Sequence, residues 1–134
     1  MNLFNSVKLE SFIDSRGKLS SLEFKYLPFI PRRLYFIREV PNELFRGGHA
    51  HRELRQAFIC LSGSASLLLD NGHTSQRIEL RMTEEATVIG PYIWRELHNF
   101  SPDAMILVLA DKEFSEDDYI RDKDKFLIEV REDN

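Results

Sequence analysis

Residues 46–63 read RGGHAHRELRQAFICLSG: two glycines, two histidines one residue apart, and an apolar run closed by Ser-Gly. An apolar run as short as QAFICLSG (56–63), bounded by turn residues, reads as a buried β-strand. On a strand the side chains alternate between faces, so His49 and His51 point the same way, into one cavity. Outward from this stretch the same kind of run recurs as SVKLESF (6–12), KLSSLEF (18–24), RLYFIREV (33–40), SASLLLD (64–70), SQRIELRM (75–82), ATVIG (86–90) and AMILVLA (104–110). Short strands at this spacing predict an all-β sandwich or small barrel. Ser62-Gly63 and Asn71-Gly72 are hairpin signals between such runs.

One helix is expected, in SEDDYIRDKDKFLIEV (115–130), where Ser115 is placed to cap the first turn and the acidic residues 116–118 complement the helix dipole. Tyr119, Ile120, Lys123 and Phe126 would then share a face and pack over one end of the barrel.

At 134 residues and 43% hydrophobic content the chain is large enough for one domain, residues 1–134, and small for two. The net charge is -4, with Lys and Arg dispersed among Asp and Glu, so there is no basic stripe of the kind nucleic acid requires. An anionic small ligand is still accommodated, because a few arginines in one pocket leave no trace in the net charge. Neither a targeting signal nor an apolar stretch long enough to span a bilayer is present, and a cytoplasmic protein without a membrane partner is expected. Cys60 is the one cysteine and sits inside AFICL, where a small buried hydrophobe is the simplest role.

Counting on from the histidine pair, four residues lead to Gln56 and six more to Gly63. This resembles the first signature of the cupin superfamily, a His-x-His pair followed by Glu and Gly, and GPYIWRELHNF (90–100) loosely matches the second. In metal-binding cupins the two histidines, the glutamate and a later histidine hold the ion. Here the glutamate position carries neutral Gln56, and the third-histidine region carries Arg95 and Glu96 with His98 displaced. A guanidinium beside a divalent cation is unfavourable and the anionic ligand is lost, so neither metal nor cofactor is expected. Without an ion the pair is available for proton transfer: an imidazole titrates near neutrality, and two facing one cavity keep at least one of them neutral and basic.

Arg33, Arg46, Arg55 and Arg95 lie in or beside the segments that carry these residues, and their guanidinium groups suit phosphate oxygens. Arg46 leads, because it directly precedes the glycines. Tyr35 and Ile37 share one face of RLYFIREV, and the Tyr35 hydroxyl near two histidines could bond a substrate carbonyl or hydroxyl. Trp94 could stack on a flat ring or close the core. His98 could line the pocket or merely pack, and His73 follows the Asn-Gly turn in solvent.

Taken together, the blocks IDSRG (13–17), RRLYFI (32–37), RGGHAHRELRQ (46–56), CLSGS (60–64), GPYIWRELHNF (90–100), VLA (108–110) and DDYIRDKDKF (117–126) resemble the dTDP-4-oxo-6-deoxyglucose 3,4-ketoisomerases, small WxcM-like cupins of bacterial deoxysugar biosynthesis. The resemblance implies an all-β cupin jelly-roll barrel with a short C-terminal helix, and a homodimer with exchanged N-terminal strands. It also implies a metal-free site that moves a carbonyl from ring position 4 to position 3 through an enediol. Carried onto this sequence, His49 and His51 are the proton-transfer pair, His51 as base and His49 as relay, and Tyr35 joins them as a catalytic donor. Arg46, Arg33, Arg55, Gln56, Arg16, Trp94, Arg95 and His98 are the expected substrate-binding residues, with Arg16 and Arg95 at positions expected to vary with product configuration. A cupin-type 3,5-epimerase and a non-enzymatic sugar-binding cupin are the alternatives.

Overall fold

The computed structural model describes residues 2–132, so both ends of the expected 1–134 domain, Met1 and Asp133 with Asn134, lie outside the described residues. Ten strands form two five-stranded sheets. The first sheet has β1 (Asn5–Lys8), β9 (Glu85–Ile89), β6 (Gln56–Ser62), β11 (Met105–Ala110) and β4 (Arg33–Arg38) side by side. The second has β12 (Tyr119–Ile120), β5 (Arg46–His51), β10 (Trp94–His98), β7 (Ala65–Asp70) and β8 (Ser75–Leu80). Neighbours in both sheets are antiparallel, and most are distant in sequence, which is the crossed connectivity of a jelly roll rather than a meander. The all-β, cupin-like expectation therefore holds.

The core fills the space between the sheets with Phe58, Cys60, Leu67, Leu69, Ile89, Leu97, Ile106 and Val108. β6 shows why its run is apolar without interruption. Gln56, Phe58 and Cys60 face this interior, while Ala57 and Ile59 are buried on the opposite side under Leu27 and Phe29. A central strand covered on both faces has no reason to alternate. The Cys60 thiol donates to the carbonyls of Ser62 and Gly63, and burial pushes its pKa up, in keeping with a packed and unreactive side chain. Gly63, at φ +64°, turns the chain from β6 into β7 of the other sheet, so Ser62-Gly63 is a crossing between sheets rather than the expected hairpin, and a Cβ there would collide with Ser101.

The C-terminal helix begins later than expected. Residues 116–118 form a single 3-10 turn without a side-chain cap from Ser115, and Tyr119–Ile120 pair with β5 as a strand. α1 spans Lys123–Glu132 and is capped instead by Asp122, whose Oδ1 accepts the N–H groups of Asp124 and Lys125. Phe126 and Val130, four residues apart, are the buried face, packed on Trp94, Ala50 and Ile120. The physical reason is edge pairing. β12 covers the open side of β5 and buries Ile120, which a helix over the same residues would forgo.

At the N-terminus β1 completes the sheet of its own chain. The hairpin of β2 (Glu10–Asp14) and β3 (Gly17–Ser21) forms a separate two-stranded sheet, held to the turn before β9 by Ser11 and Lys18, which both reach Glu84. No helix among the described residues is long and apolar enough to cross a membrane.

Candidate active site

The interior opens between the sheets as a cavity of about 530 Å³, within the range that holds small ligands. Its walls come from β4 (Arg33, Tyr35, Ile37), β5 (Arg46, Gly47, His49), β6 (Gln56, Phe58) and β10 (Arg95, Leu97), and Tyr119 and Arg121 close it from the C-terminal segment.

β5 owes its placement to a bulge. Arg46 pairs with Leu97 and Gly47 with Glu96, but the next pair along is His49 with Arg95, so one residue, Gly48, is extra. In a regular strand Arg46 and His49, three apart, would face opposite sides; the bulge turns both inward. Glycine is required on each side of that step. Gly47 and Gly48 have φ +90° and +78°, and a Cβ on Gly47 would lie 2.9 Å from the Arg95 carbonyl oxygen.

His49 lies on the cavity wall. His51 is fully buried behind it, the two rings edge to face at 4.8 Å, with Tyr119 against both at 4.8 and 4.3 Å. The His51 Nδ1 lies 3.1 Å from Asp118 Oδ2, and the same carboxylate accepts the backbone N–H groups of Glu53 (2.7 Å) and Leu54 (3.2 Å). An ionised carboxylate only accepts, so Nδ1 carries the proton and Nε2 holds the lone pair. That Nε2 is buried without a partner, as is Nδ1 of His49. Burial first, then the Arg95 guanidinium, hold both imidazoles below the ordinary histidine range. His49 falls to about 4, and His51 lower still. Both rings are neutral at pH 7.

The charge around the histidines is cationic, beginning with Arg95 on the neighbouring strand β10, directly across from His49. Arg95 is buried without a carboxylate partner among the described residues; its guanidinium donates to Gln56 Oε1 at 2.5 Å and to the carbonyls of Ile93 and Gly90. Burial lowers its pKa to about 10, which leaves it charged at neutral pH. Gln56 Nε2 donates to the Tyr35 hydroxyl at 2.9 Å, and burial raises the Tyr35 pKa, so the phenol stays protonated. Arg33 stacks on the Tyr35 and Phe114 rings at 5.1 and 5.9 Å with its Nε unpartnered, and Arg121, bonded to Glu116, lies over the Tyr119 ring at 4.2 Å. The donor set does not fit a divalent metal. At the position of the cupin glutamate Gln56 has its oxygen occupied by Arg95, and a cation between the histidines and Arg95 would meet an uncompensated positive charge.

Of the residues singled out from the sequence, His49, Tyr35, Arg33, Arg46, Gln56 and Arg95 meet in this cavity, with His51 directly behind. Arg55, Trp94, His98 and Arg16 do not. Arg55 is spent on Asp111 and the Pro28 carbonyl, outside the sheet. The strand alternation of β10 turns Trp94 and His98 away from the interior: Trp94 packs on Phe126 and donates to Glu96, and His98 pairs with Glu96 and stacks on Phe45. Arg16 is exposed at the β2–β3 turn and bonded to Asp14. His73 is on the exposed β7–β8 turn. Sequence reasoning missed Asp118, Tyr119, Arg121 and Phe114. The available signal was Tyr119 and Arg121 two residues apart, a strand spacing within a segment read as helix.

These features define a cupin-like fold whose interior is lined by a histidine, a glutamine, a tyrosine and several arginines, with a second histidine directly behind. The chain belongs to the family described as FdtA: WxcM-like, C-terminal, whose model matches residues 3–131. A TDP-4-oxo-6-deoxy-alpha-D-glucose-3,4-oxoisomerase from Aneurinibacillus thermoaerophilus is 40% identical over 121 residues, covering 90% of this chain and 87% of the relative. The crystal structure of a 3,4-ketoisomerase from Helicobacter canadensis is 38% identical with a TM-score of 0.91, over 96% of this chain and 97% of that one. A 3,4-ketoisomerase from Thermoanaerobacterium thermosaccharolyticum, solved as a histidine-to-asparagine mutant in complex with TDP-4-keto-6-deoxyglucose, is 32% identical with a TM-score of 0.93, over 98% and 96%. Sugar epimerases stand much further off, at 11% and 12% identity, and share the fold alone.

Proposed function

We propose that this chain is a TDP-sugar 3,4-ketoisomerase, converting TDP-4-oxo-6-deoxyglucose to the corresponding 3-oxo-6-deoxyhexose. The observation that carries the proposal is the neutral His49–His51 pair in a cavity where Arg95, on the strand beside His49, is linked through Gln56 to Tyr35 on the facing sheet. The hydrogen on C3 is acidic because it neighbours the C4 ketone. The imidazole pair takes that proton, the C–H electrons form the C3=C4 bond, and the carbonyl electrons move onto O4. Donors on the facing wall stabilise the resulting enediolate oxygen. The O3–H proton then passes to O4, the O3 electrons form the C3 carbonyl and the C3=C4 electrons take a proton from the imidazolium at C4, so the net change is isomerisation with no redox partner.

Arg33, Arg46 and Arg121 at the rim suit the diphosphate, whose charge also offsets the arginines that depress both histidines. A soluble nucleotide-linked substrate fits a cytoplasmic enzyme of deoxysugar biosynthesis. We extend the proposal to a homodimer in which the β2–β3 hairpin lies on a second copy, because Phe12, Ile13 and Leu19 are 60%, 76% and 60% exposed on that projecting arm.

The deciding experiment incubates the protein with TDP-4-oxo-6-deoxyglucose in D2O, traps the 3-oxo product with an aminotransferase and reads it by NMR. Ketoisomerisation places deuterium at C4 of the product. Deuterium at C5 would replace the proposal with an epimerase, and substrate binding without exchange would replace it with a sugar-binding protein.

A further inference from the structure

The chain Arg95, Gln56, Tyr35 crosses the cavity wall, and its hydrogen bonds can run in one direction only. A guanidinium has no acceptor, so the Gln56 atom 2.5 Å from Arg95 Nη1 is the amide oxygen. Gln56 is buried and cannot turn this oxygen elsewhere without leaving Arg95 unpaired on that side. Its NH2 group therefore faces Tyr35, 2.9 Å from the hydroxyl oxygen, and that oxygen accepts. A phenolic proton lies near the ring plane in one of two directions, and the direction toward Gln56 is closed because two donors cannot meet. We infer that Gln56 is a positioning residue, locked by Arg95, that holds the Tyr35 hydroxyl as a fixed donor directed into the cavity.

The inference rests on the ketoisomerase reading and goes beyond it by giving a reaction-based reason for glutamine at this position. A glutamate would pair with Arg95 equally well. Its carboxylate would also accept from Tyr35, turning the phenolic proton away from the substrate and leaving a lone pair facing the developing oxyanion. Glutamine transmits the polarisation of the Arg95 charge and presents a donor at the end of the chain. A donor oriented before substrate arrives costs no reorganisation when charge develops.

The test is a double-mutant cycle on turnover of TDP-4-oxo-6-deoxyglucose, with Gln56→Glu, Tyr35→Phe and the pair. Each single change is expected to lower kcat about a hundredfold, the usual effect of losing one oxyanion donor, with KM within about threefold. The pair should be no slower than Tyr35→Phe alone, because without the hydroxyl there is nothing left for Gln56 to orient. Losses that multiply, or a Gln56→Glu protein that keeps kcat within about threefold, would overturn the inference. If Gln56→Glu does not fold, Gln56→Met takes its place in the same cycle with the same criterion of non-additivity. Absence of turnover by the unaltered protein sinks the ketoisomerase reading and this inference with it, whereas turnover with multiplying losses sinks the inference alone.

Discussion

Replacing Asp118 with asparagine tests how the imidazole pair is prepared for proton transfer. Asp118 accepts three hydrogen bonds, the shortest from the Glu53 N–H at 2.7 Å, with the Leu54 N–H at 3.2 Å and His51 Nδ1 at 3.1 Å sharing the other oxygen. Asparagine has one oxygen, which stays on the shortest bond, so its NH2 group faces Leu54 and His51. The amide then needs an acceptor at Nδ1, and the His51 proton moves to Nε2, the atom that held the lone pair. General-base catalysis contributes about 10²- to 10⁴-fold, so kcat should fall roughly a thousandfold. The Leu54 N–H, now opposite a donor, costs about 1–3 kcal/mol of stability, small enough to leave the protein folded. The trapped-product assay gives kcat, and two-bond 1H–15N correlations give the His51 tautomer. An Asp118→Asn protein with kcat within about fivefold of the unaltered one, or with Nδ1 still protonated, would refute the reasoning.

A His49 pKa near 4 when folded, against 6.5 when exposed, means that the unfolded chain binds more protons between those values. Stability should therefore be complete above pH 6.5 and fall as the pH drops toward 4, by about 3 kcal/mol from His49 alone, measured by urea unfolding; His49→Asn should flatten that slope. Over the same range kcat/KM should show no acid limb near 6.5, since the base is already neutral there. Arg33→Met and Arg46→Met should each raise the Kd for TDP about 10- to 100-fold, the worth of a charged hydrogen bond, with kcat within about threefold; titration calorimetry checks this. Gly47→Ala should cost about 1–3 kcal/mol in thermal unfolding, because φ +90° and the Arg95 carbonyl both reject a Cβ. Dialysis against EDTA should leave turnover unchanged, and activity restored only by added iron or manganese would contradict the argument from Gln56 and Arg95.

The fold class was open to local reading because strands, turns and alternation are short-range properties. QAFICLSG, the Asn71-Gly72 turn and the face shared by Tyr35 and Ile37 each follow from residues a few positions apart. The C-terminal segment was misread for the same reason. Ser115 followed by three acidic residues is a good local helix start, and only the unpaired edge of β5, more than sixty residues earlier in the chain, makes residues 119–120 a strand.

The sequence by itself determined an all-β chain with two histidines on one strand face, a glutamine where cupins place a glutamate, and arginines within reach. Tertiary structure decided which of those arginines count. The bulge at Gly48 turns Arg46 inward, strand alternation sends Trp94 and His98 out, and Asp111 takes Arg55. It also decided that His51 meets Asp118, 67 residues away, and that both imidazoles are neutral. Desolvation and long-range pairing depend on what surrounds a group once the sheets close, and no window along the chain contains that information.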